Sequence, residues 1–249
     1  MSIEKFAIID NEQLSKKVQK YLMGAIKAGS YATAGKLPAE DVLAADLGVS
    51  RTVIRDVLIN LEREGFITRR RGIGTVINKH VIEVVTRVDL ENEFIKMLTQ
   101  AGYEPSLKYV NVEKVPLNDE LQAHFKLDLE CRFLKVDRVL CGNDKPAIYC
   151  IDFLPLLLLK EKKYEEAELH EPIFDFLEQR CHVKVHLDLT VLEPELASKE
   201  VAEKLEINVG DPVMFMSELC YDIDGKPVLW SKQYFPKGVL QFTCLRKTI

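Results

Sequence analysis

The segment from Leu37 to Val76 constrains the fold of this chain more than any other part of the sequence. It reads LPAEDVLAADLGVSRTVIRDVLINLEREGFITRRRGIGTV. Ser50 is a good N-cap after the helix-breaking Gly48, so a helix of about four turns is predicted to begin here. Apolar side chains recur along it at the i, i+3, i+4 and i+7 spacing of one helix face, which must therefore meet a core. They are Ile54, Val57, Leu58 and Leu61.

The opposite face of this helix carries polar side chains in its first turn and a half. They are Arg51, Thr52 and Arg55. Another helix, over about residues 38–47, precedes it across a short turn at Gly48 and Val49, which is the helix-turn-helix pattern. Arginines at the N-terminus of the second helix are placed to pair with guanine in a DNA major groove. For a helix on its own, however, the ordinary interpretation of such an arginine pair is a solvated surface.

The residues after this helix predict a β-wing with a basic tip. Phe66 to Arg69 is typical of a short strand, residues 70–72 of a turn, and residues 73–77 of a returning strand. From residue 51 to residue 71 there are six arginines and three acidic residues, a basic footprint within an acidic protein. Helix, turn, helix and arginine-rich wing follow one another in order, and this succession favours DNA binding over a solvated face.

The whole segment resembles the winged helix-turn-helix of the GntR family of bacterial transcription regulators. The resemblance implies DNA contacts in the recognition helix and at the tip of the wing. These contacts fall on Arg51, Thr52, Arg55, Arg71 and Gly72. The neighbouring Arg70 is predicted to add a phosphate contact that does not depend on the DNA sequence.

Two positions depart from the family pattern. Asp41 stands where an arginine is usual, and Val53 where a threonine is frequent. Because an acidic side chain repels phosphates, Asp41 implies either a lost contact or an altered operator.

The length and the charge distribution favour two domains with different partners. The 249 residues suit two modest domains, predicted as residues 1–77 for DNA binding, 78–88 as a linker, and 89–249 for effector binding and dimerisation. Residues 1–88 contain 14 Lys and Arg and 10 Asp and Glu, whereas residues 89–249 contain 20 and 29. The basic half is therefore expected to meet the polyanion.

Several classes of protein are excluded by what the sequence lacks. No apolar run approaches the roughly 18 residues of a membrane span, and the first ten residues do not form a signal peptide, so a cytoplasmic protein without a membrane partner is expected. Six cysteines, at positions 131, 141, 150, 181, 220 and 244, show no C-x-x-C pair. Thiols are therefore predicted rather than a metal site or disulfide framework, with redox sensing by one of them as a minor alternative. No cofactor is predicted.

The segments on either side of the winged segment are expected to support it. Residues 11–28 predict an amphipathic helix that packs behind the two later helices, with Leu14, Val18, Leu22 and Ile26 on its apolar face. Residues 78–88, NKHVIEVVTRV, are rich in β-branched side chains and predict a stiff, extended connector.

The second half of the chain contains an internal repeat. LCGNDKPAIYCIDFLP at 140–155 matches LCYDIDGKPVLWSKQYFP at 219–236, and each copy is typical of strand, tight turn and strand. Further strands are predicted near residues 107–115, 183–192 and 240–245, and helices near 89–100, 118–125, 173–179 and 196–205. Because the order lacks βαβ regularity, we expect an α+β domain with a mainly antiparallel sheet and flanking helices.

Residues 89–246 resemble the effector-binding (UTRA) domain of the HutC subfamily, whose fold is shared with chorismate lyase. The resemblance rests on KVDRVLCGNDKPAIYCIDFLP, on ELASKEVAEKLEINVGDPV and on DGKPVLWSKQYFP. It implies that this domain senses a small metabolite, often a phosphorylated sugar or an amino-acid derivative.

The residues that align with the family's effector site are mostly apolar in this chain. Arg138 falls on the first of two family arginines that hold an anionic group, and Leu140 on the second. Cys150 and Leu229 replace glutamates, and Phe174 replaces a tyrosine. One cation among apolar side chains suits a monoanion with a hydrophobic body better than a sugar phosphate, whose polar groups would be buried unpaired. The alternative is that Arg138 makes a surface ion pair with Asp137 or Asp152.

Together these observations predict a ligand-responsive transcription regulator, in the first instance a repressor. One winged domain reads a single half-site, so a homodimer on a palindromic operator is expected, with a small-molecule effector that releases the DNA. Two alternatives remain: a DNA-binding protein with a vestigial sensor, and a lyase of the chorismate-lyase type joined to a DNA-binding module. Because no nucleophile with its base and no phosphate-binding loop is present, and the five histidines are isolated, no enzyme activity is predicted.

Overall fold

The computed structural model of the protein describes residues 14–31, 33–84, 86–90, 93–128, 130–160 and 164–247. The chain divides into two compact units. Unit 1 contains residues 1–89 together with 243–249, and unit 2 contains residues 90–242. The sequence did not predict that the last residues of the chain belong with the first unit.

The described residues of unit 1 form four helices, the last of them a single turn, and a small antiparallel sheet. Its elements in chain order are α1 (Leu14–Lys27), β1 (Lys36–Leu37), α2 (Glu40–Leu47), α3 (Arg51–Arg63), β2 (Ile67–Arg70), β3 (Gly74–Ile77), α4 (Lys79–Ile82) and β4 (Thr86–Arg87). The sheet has the order β1-β3-β2, so β2 and β3 form the predicted wing. Both wing strands lie within one residue of their predicted limits.

The local signals of α3 act as predicted. The Ser50 hydroxyl accepts a hydrogen bond from the Val53 amide over 3.3 Å, and Gly48 ends α2 in the left-handed conformation. The predicted apolar stripe of α3 is fully buried. In α1 the buried residues are Val18, Leu22 and Ile26, whereas Leu14 is 53% exposed, so its predicted place in the core is wrong. Leu14 is the first residue of the helix. Residues 11–13 lie outside the described residues.

The sequence predicted a wholly extended connector, and this prediction is wrong. The connector forms the single turn α4 and then the short strand β4. Asn78 anchors its start, because its side-chain amide donates to the Gly65 carbonyl over 2.7 Å and to the Thr68 hydroxyl over 3.0 Å. This tertiary anchor, which no local pattern reveals, turns the chain into α4.

Unit 2 is built on a six-stranded antiparallel sheet. Its elements are α5 (Phe94–Gln100), β5 (Pro105–Pro116), α6 (Asp119–Phe125), β6 (Arg132–Gly142), β7 (Lys145–Pro155), α7 (Ile173–Phe176), β8 (Leu187–Leu196), α8 (Lys199–Leu205), β9 (Pro212–Tyr221) and β10 (Pro227–Pro236). The strand order is β5-β6-β7-β10-β9-β8. The predicted repeat is thus two hairpins, β6–β7 and β9–β10, which join side by side through β7 and β10.

Each face of this sheet carries its own core. One face packs with α6 and α8 around Trp230, Tyr149 and Phe153. The other packs against the segment 156–181 around Leu134, Phe176 and Leu229. That segment contains two short 3-10 turns (Leu156–Leu158 and Glu166–His170), then α7 and a π turn (Leu177–Cys181). Since both faces are covered, the central strands β6 and β7 are buried along almost their whole length.

Several boundaries differ from the predictions because tertiary contacts decide them. The strand predicted at 183–192 lies at 187–196, and the helix predicted at 173–179 becomes α7 with its π turn. Two predicted helices begin later than expected, at Phe94 and at Lys199, the latter capped by Ser198; residues 91 and 92 lie outside the described residues. The closing strand is only β11 (Phe242–Thr243), which pairs with β4.

The described residues show neither a membrane-spanning helix nor a group of three or more potential metal ligands. All six cysteines are free thiols. Four of them are buried: Cys141, Cys150 and Cys220 in strands, and Cys181 in the π turn.

Candidate functional site

The N-terminal end of the recognition helix α3 presents its predicted DNA-binding residues to solvent. Arg51, Thr52 and Arg55 are all exposed on the face opposite the buried stripe. The Arg55 guanidinium, 57% exposed, pairs with Glu40 of α2 at 3.2 and 3.3 Å. An exposed ion pair contributes only about 0–1 kcal/mol. The contact with Glu40 therefore orients Arg55, but it is weak enough for Arg55 to leave Glu40 and bind a base.

The three arginines of the wing differ in their surroundings: one is bonded to α3, and two are exposed at the tip. Arg69 is tied to Glu62 of α3 by its side chain at 2.7 Å and by its backbone amide at 2.8 Å. Arg70 and Arg71 are exposed at the tip, next to Gly72. Gly72 has φ +77°, a conformation that a glycine adopts without strain. The tip therefore presents two cations on a tight turn.

The two departures from the family pattern have structural explanations. Asp41 is exposed in the first turn of α2, where the preceding Ala39 supplies no side-chain cap. A carboxylate at this position interacts favourably with the helix dipole, so Asp41 stabilises α2. Val53 is half-buried, and its amide is satisfied by Ser50.

In unit 2, Arg138 on β6 forms a buried ion pair with Asp152 on β7. The Nη2 to Oδ2 distance is 2.5 Å, and both side chains are almost fully buried. The Ser231 hydroxyl on β10 donates to the other oxygen of Asp152. Arg138 Nη1 also donates to the Glu171 carbonyl over 2.8 Å. The alternative of an ion pair with Asp152 is therefore right about the partner and wrong about its surface location.

One donor of this cluster is left over. The Nε of Arg138 is buried and has no hydrogen-bond partner of good geometry among the described residues, while the Cys150 thiol interacts with the same guanidinium. Such buried donors are rare in proteins and call for an explanation, because an unpaired buried donor costs about 1–3 kcal/mol. Cys150, directly opposite Arg138 in the sheet register, is fully buried, and burial raises the pKa of its thiol to about 12. The thiol therefore stays neutral beside the pair.

The structure brings only some of the five predicted effector residues together. Arg138 and Cys150 are cross-strand neighbours, and the buried Leu140 lies two residues along the same strand. Leu229 and Phe174 belong to the core under the segment 156–181, the segment whose Glu171 carbonyl accepts a hydrogen bond from Arg138. In the sheet register Cys150 faces Gln233, four residues from Leu229, or about 13 Å along β10.

Sequence reasoning named Asp152 as one of two possible partners of Arg138, but it missed the other polar residues around the pair, Ser231 and Gln233. Asp152 and Ser231 complete its ion pair, and Gln233 donates to Glu218 on the same face of the sheet. Asp152 follows Cys150 by two residues, so strand alternation could have placed it on the same face. Nothing local to Ser231 or Gln233 indicates that β10 pairs with β7.

Comparison with known proteins accounts for both units. The family model for bacterial regulatory proteins of the gntR family matches residues 14–77, and the model for the UTRA domain matches residues 100–238. The chain belongs to the GntR family of transcription regulators. This membership and the relatives confirm the predicted winged helix-turn-helix and the predicted mainly antiparallel second domain. They also confirm the prediction of a transcription regulator rather than an enzyme.

Several GntR regulators are similar to this one over most of their length. The HTH-type transcriptional repressor NagR of Bacillus subtilis (strain 168) is 26% identical over 209 residues, which are 84% of each chain. The HTH-type transcriptional regulator GgaR of Escherichia coli (strain K12) is 20% identical over 97% of this chain and 94% of its own. Among solved structures, the possible transcriptional regulator YydK of Bacillus subtilis has a TM-score of 0.76 at 19% identity, covering 94% of this chain and 99% of its own. This last likeness shows the fold alone.

Proposed function

We propose that this GntR regulator is a ligand-responsive repressor that binds a palindromic operator as a homodimer. The observation that carries the proposal is the solvent-exposed set of Arg51, Arg55 and the wing-tip arginines on a domain joined to a UTRA domain. The similar NagR, and MngR of Escherichia coli (strain K12) at 21% identity, are both named repressors. An operator-binding repressor acts where the DNA is, so a cytoplasmic location is part of the proposal.

The mechanism follows from the geometry of half-sites. One recognition helix reads one half-site, and two copies related by a twofold axis read a palindrome. An effector that prefers dimers whose two helices do not match the half-site spacing shifts the population away from the DNA-bound form. The arginines on α3 supply base contacts, while those at the wing supply phosphate contacts.

Selection from a library of random DNA duplexes tests this proposal. The expected product is a sequence with two inverted half-sites whose centres lie about one helical turn, or a multiple of it, apart. The stoichiometry should be two chains per duplex. Enrichment of a single unrepeated site, or of no sequence at all, would contradict the proposal.

We propose that the dimer forms through the edge strand β8. This strand is paired with β9 on one side only, and it exposes an apolar series with the alternation of one strand face: Leu187, Leu189 and Val191. In antiparallel pairing of two copies centred on Leu189, Leu187 faces Val191. Glu193 of one copy then faces residue 185 of the other, one residue from Lys184, so opposite charges lie near each other at the ends. Pro194 has no N–H to donate and limits the pairing to the residues before it.

Replacing Leu189 by glutamate is expected to separate the dimer. Leu189 is 62% exposed in the single chain, so the fold should tolerate the change, whereas two glutamates at the twofold axis repel each other. The dimer dissociation constant should rise at least about 100-fold, which corresponds to about 3 kcal/mol, as measured by sedimentation velocity. Val209→Glu is the matched control, because Val209 is 67% exposed and lies outside the strands.

The two parts of this proposal fail in different ways. A wild-type chain that sediments as a monomer, with and without operator DNA, would contradict the homodimer. If the wild-type chain is a dimer and Leu189→Glu leaves it intact, the edge strand β8 is not the interface. The homodimer itself would then still stand.

We propose that the effector is a small molecule with a hydrophobic body and a single anionic or acceptor group held by Arg138. The effector site is proposed to include Arg138, Leu140, Cys150, Phe174 and Leu229. The unpartnered Nε of Arg138 supports one acceptor oxygen of a ligand at this position. A phosphate dianion is disfavoured, because Asp152 already balances the guanidinium and would repel a second strong anion. Membership of the HutC subfamily is part of this proposal.

Thermal unfolding of the full chain with three ligand panels tests the proposed effector class. The panels are hydrophobic monocarboxylates, their neutral amides and esters, and sugar phosphates. A ligand at 100 times its dissociation constant adds about 2.7 kcal/mol, so the transition of its unit should rise by roughly 5–10 °C. Shifts from carboxylates and neutral analogues would support the acceptor site, and shifts from sugar phosphates alone would contradict it.

The absence of any shift would favour the second candidate, a regulator with a vestigial sensor. The structural observation on its side is the internal balance of Arg138 by Asp152, which leaves this guanidinium without excess positive charge for an anionic ligand. Such a protein should bind its operator with an affinity that no metabolite alters.

A further inference from the structure

The chain passes between its two units twice, at residues 89–90 and at residues 242–243. On the unit 1 side, the two passages lie together. The short strands β4 and β11 pair, and the Val88 amide donates to the Thr243 carbonyl over 2.9 Å. The residues that follow β11 belong to unit 1 and continue along it as a C-terminal tail.

Both passages supply a cation to the C-terminal end of the recognition helix. Lys247 of the tail donates to the carbonyl of Arg63 over 2.8 Å and to that of Glu62. Arg87 of β4 donates from Nη1 to the carbonyl of Glu64 over 2.5 Å. The last carbonyls of a helix have no partner within the helix, and cations at this end also interact favourably with its dipole.

Asp89 joins Arg87 to the tail that carries Lys247. Arg87, only 5% exposed, binds both carboxylate oxygens of Asp89, and the same carboxylate accepts from the Leu245 amide of the tail over 3.3 Å. Hydrogen bonds from Arg87 lower the pKa of Asp89, so the carboxylate remains charged at neutral pH. The Arg87 guanidinium also lies over the ring of Phe66, 5.2 Å from its centroid.

The tail is packed closely against the residue that ends the helix. A Cβ placed on Gly65, which has φ +83°, would lie 2.2 Å from Cδ2 of Leu245. Only a glycine adopts this conformation readily and leaves the space that Leu245 occupies. We call Arg87, Asp89, Leu245 and Lys247 the clasp.

We propose that the clasp positions the recognition helix for operator binding, with Arg87 and Lys247 as its positioning residues. The inference rests on the proposed function. Because every chain connection between the units carries clasp residues, a rearrangement of the UTRA domain that pulls on either connection acts on the end of α3. The clasp residues lie at the opposite end of α3 from Arg51 and Arg55, so they act through the helix axis and not through base contact.

Lys247→Met tests the clasp, since it keeps the aliphatic stem and removes the cation. Lys20→Met on the exposed side of α1 removes the same charge elsewhere in unit 1 and serves as the matched control. Lys247→Met is expected to bind the operator about tenfold more weakly than this control does. The two variants are expected to bind random DNA with equal affinity. Hydrogen exchange at the amides of Glu64 and Gly65, which close the helix end, should become faster in Lys247→Met alone.

Asp89→Asn provides a second variant, which keeps the size of the side chain and removes its negative charge. It should produce the same two effects by loosening both Arg87 and the Leu245 amide. Effects of Lys247→Met and Asp89→Asn on operator affinity should combine to less than their product, because both act on one cluster.

Each other outcome overturns the clasp as a positioning device. Equal behaviour of Lys247→Met and Lys20→Met in both measurements would show that the contact is dispensable. Faster exchange without weaker operator binding would show that the helix end does not matter for recognition. Weaker operator binding with unchanged exchange would indicate a direct contact of Lys247 with DNA. Failure of the proposed function is recognised beforehand, as a wild-type protein without sequence preference.

Discussion

Asp152→Ala is expected to lower the free energy of unfolding of unit 2 by about 3–5 kcal/mol, because it leaves the Arg138 guanidinium buried without its counter-charge. The change also removes the acceptor of the Ser231 hydroxyl. Urea denaturation of the full chain, followed by the fluorescence of Trp230, measures the effect. Trp230 is the one tryptophan of the sequence and is buried in unit 2, so it reports on that unit.

Two further variants show whether the buried charge is responsible. Asp224→Ala removes the acid of an exposed pair with Lys226, 3.9 Å apart, and should change the free energy of unfolding by less than about 1 kcal/mol. The double variant Arg138→Met with Asp152→Leu removes both charges and should recover most of the loss. If Asp152→Ala cost no more than Asp224→Ala, the buried pair would not be a structural element of the sheet.

Arg55→Ala is expected to weaken binding to the selected operator by about 1–3 kcal/mol, or roughly 5- to 150-fold, because it removes the bidentate contact to a base that we propose for Arg55. Binding to random DNA should fall much less. Arg70→Ala, at the wing tip, should weaken binding to operator and random DNA alike and reduce the salt dependence by about one counterion. Fluorescence anisotropy at several salt concentrations measures all of these changes.

The contact between Arg55 and Glu40 provides the matched control for this prediction. Glu40→Ala breaks the same exposed ion pair but leaves the arginine in place. If the operator loss came only from the lost orientation of Arg55, Glu40→Ala would reproduce it. An equal loss of Arg55→Ala on operator and random DNA would contradict the assignment of Arg55 as a base-reading residue.

The acidic first turn of α2 complicates the electrostatics of this surface. Glu40 and Asp41 both lie there, close in sequence to the expected DNA-binding face. Glu40 is balanced by Arg55, whereas Asp41 is exposed at a position where the family has an arginine. On the proposed DNA-binding face this combination lowers the positive charge, so we expect more of the affinity to come from α3 and the wing tip.

The elements that the sequence predicted well are those with local signals. The stripe of α3 follows the helical period, Ser50 and Gly48 mark its start, and the wing follows from its glycines and alternating residues. In unit 2 the repeat predicted both central hairpins, since a tight turn brings neighbouring strands together within a few residues. The strand β8, which has no such turn to β7 or β9, was placed four residues too early at each end.

The predicted effector residues show where the local argument stops. Sequence position placed Arg138 and Cys150 on neighbouring strands, but it could not show that Asp152 would neutralise the guanidinium or that Ser231 would join from β10. Ser231 lies 79 residues from Asp152 along the chain, and their contact depends on the pairing of the two hairpins. The set of five therefore remains a proposal, built on alignment and not on one shared location.

The sequence by itself determined the winged helix-turn-helix, the hairpin repeat and the exposed arginines, because helix period, strand alternation and turn chemistry act over a few residues. Only the tertiary structure decided the strand order that buries Arg138 with Asp152 and the return of the tail to the recognition helix. Lys247 meets Arg63 across 184 residues of chain, a contact that no local pattern specifies. Such a contact depends on the folded path of all the residues between its two partners, so no short segment of the sequence specifies it.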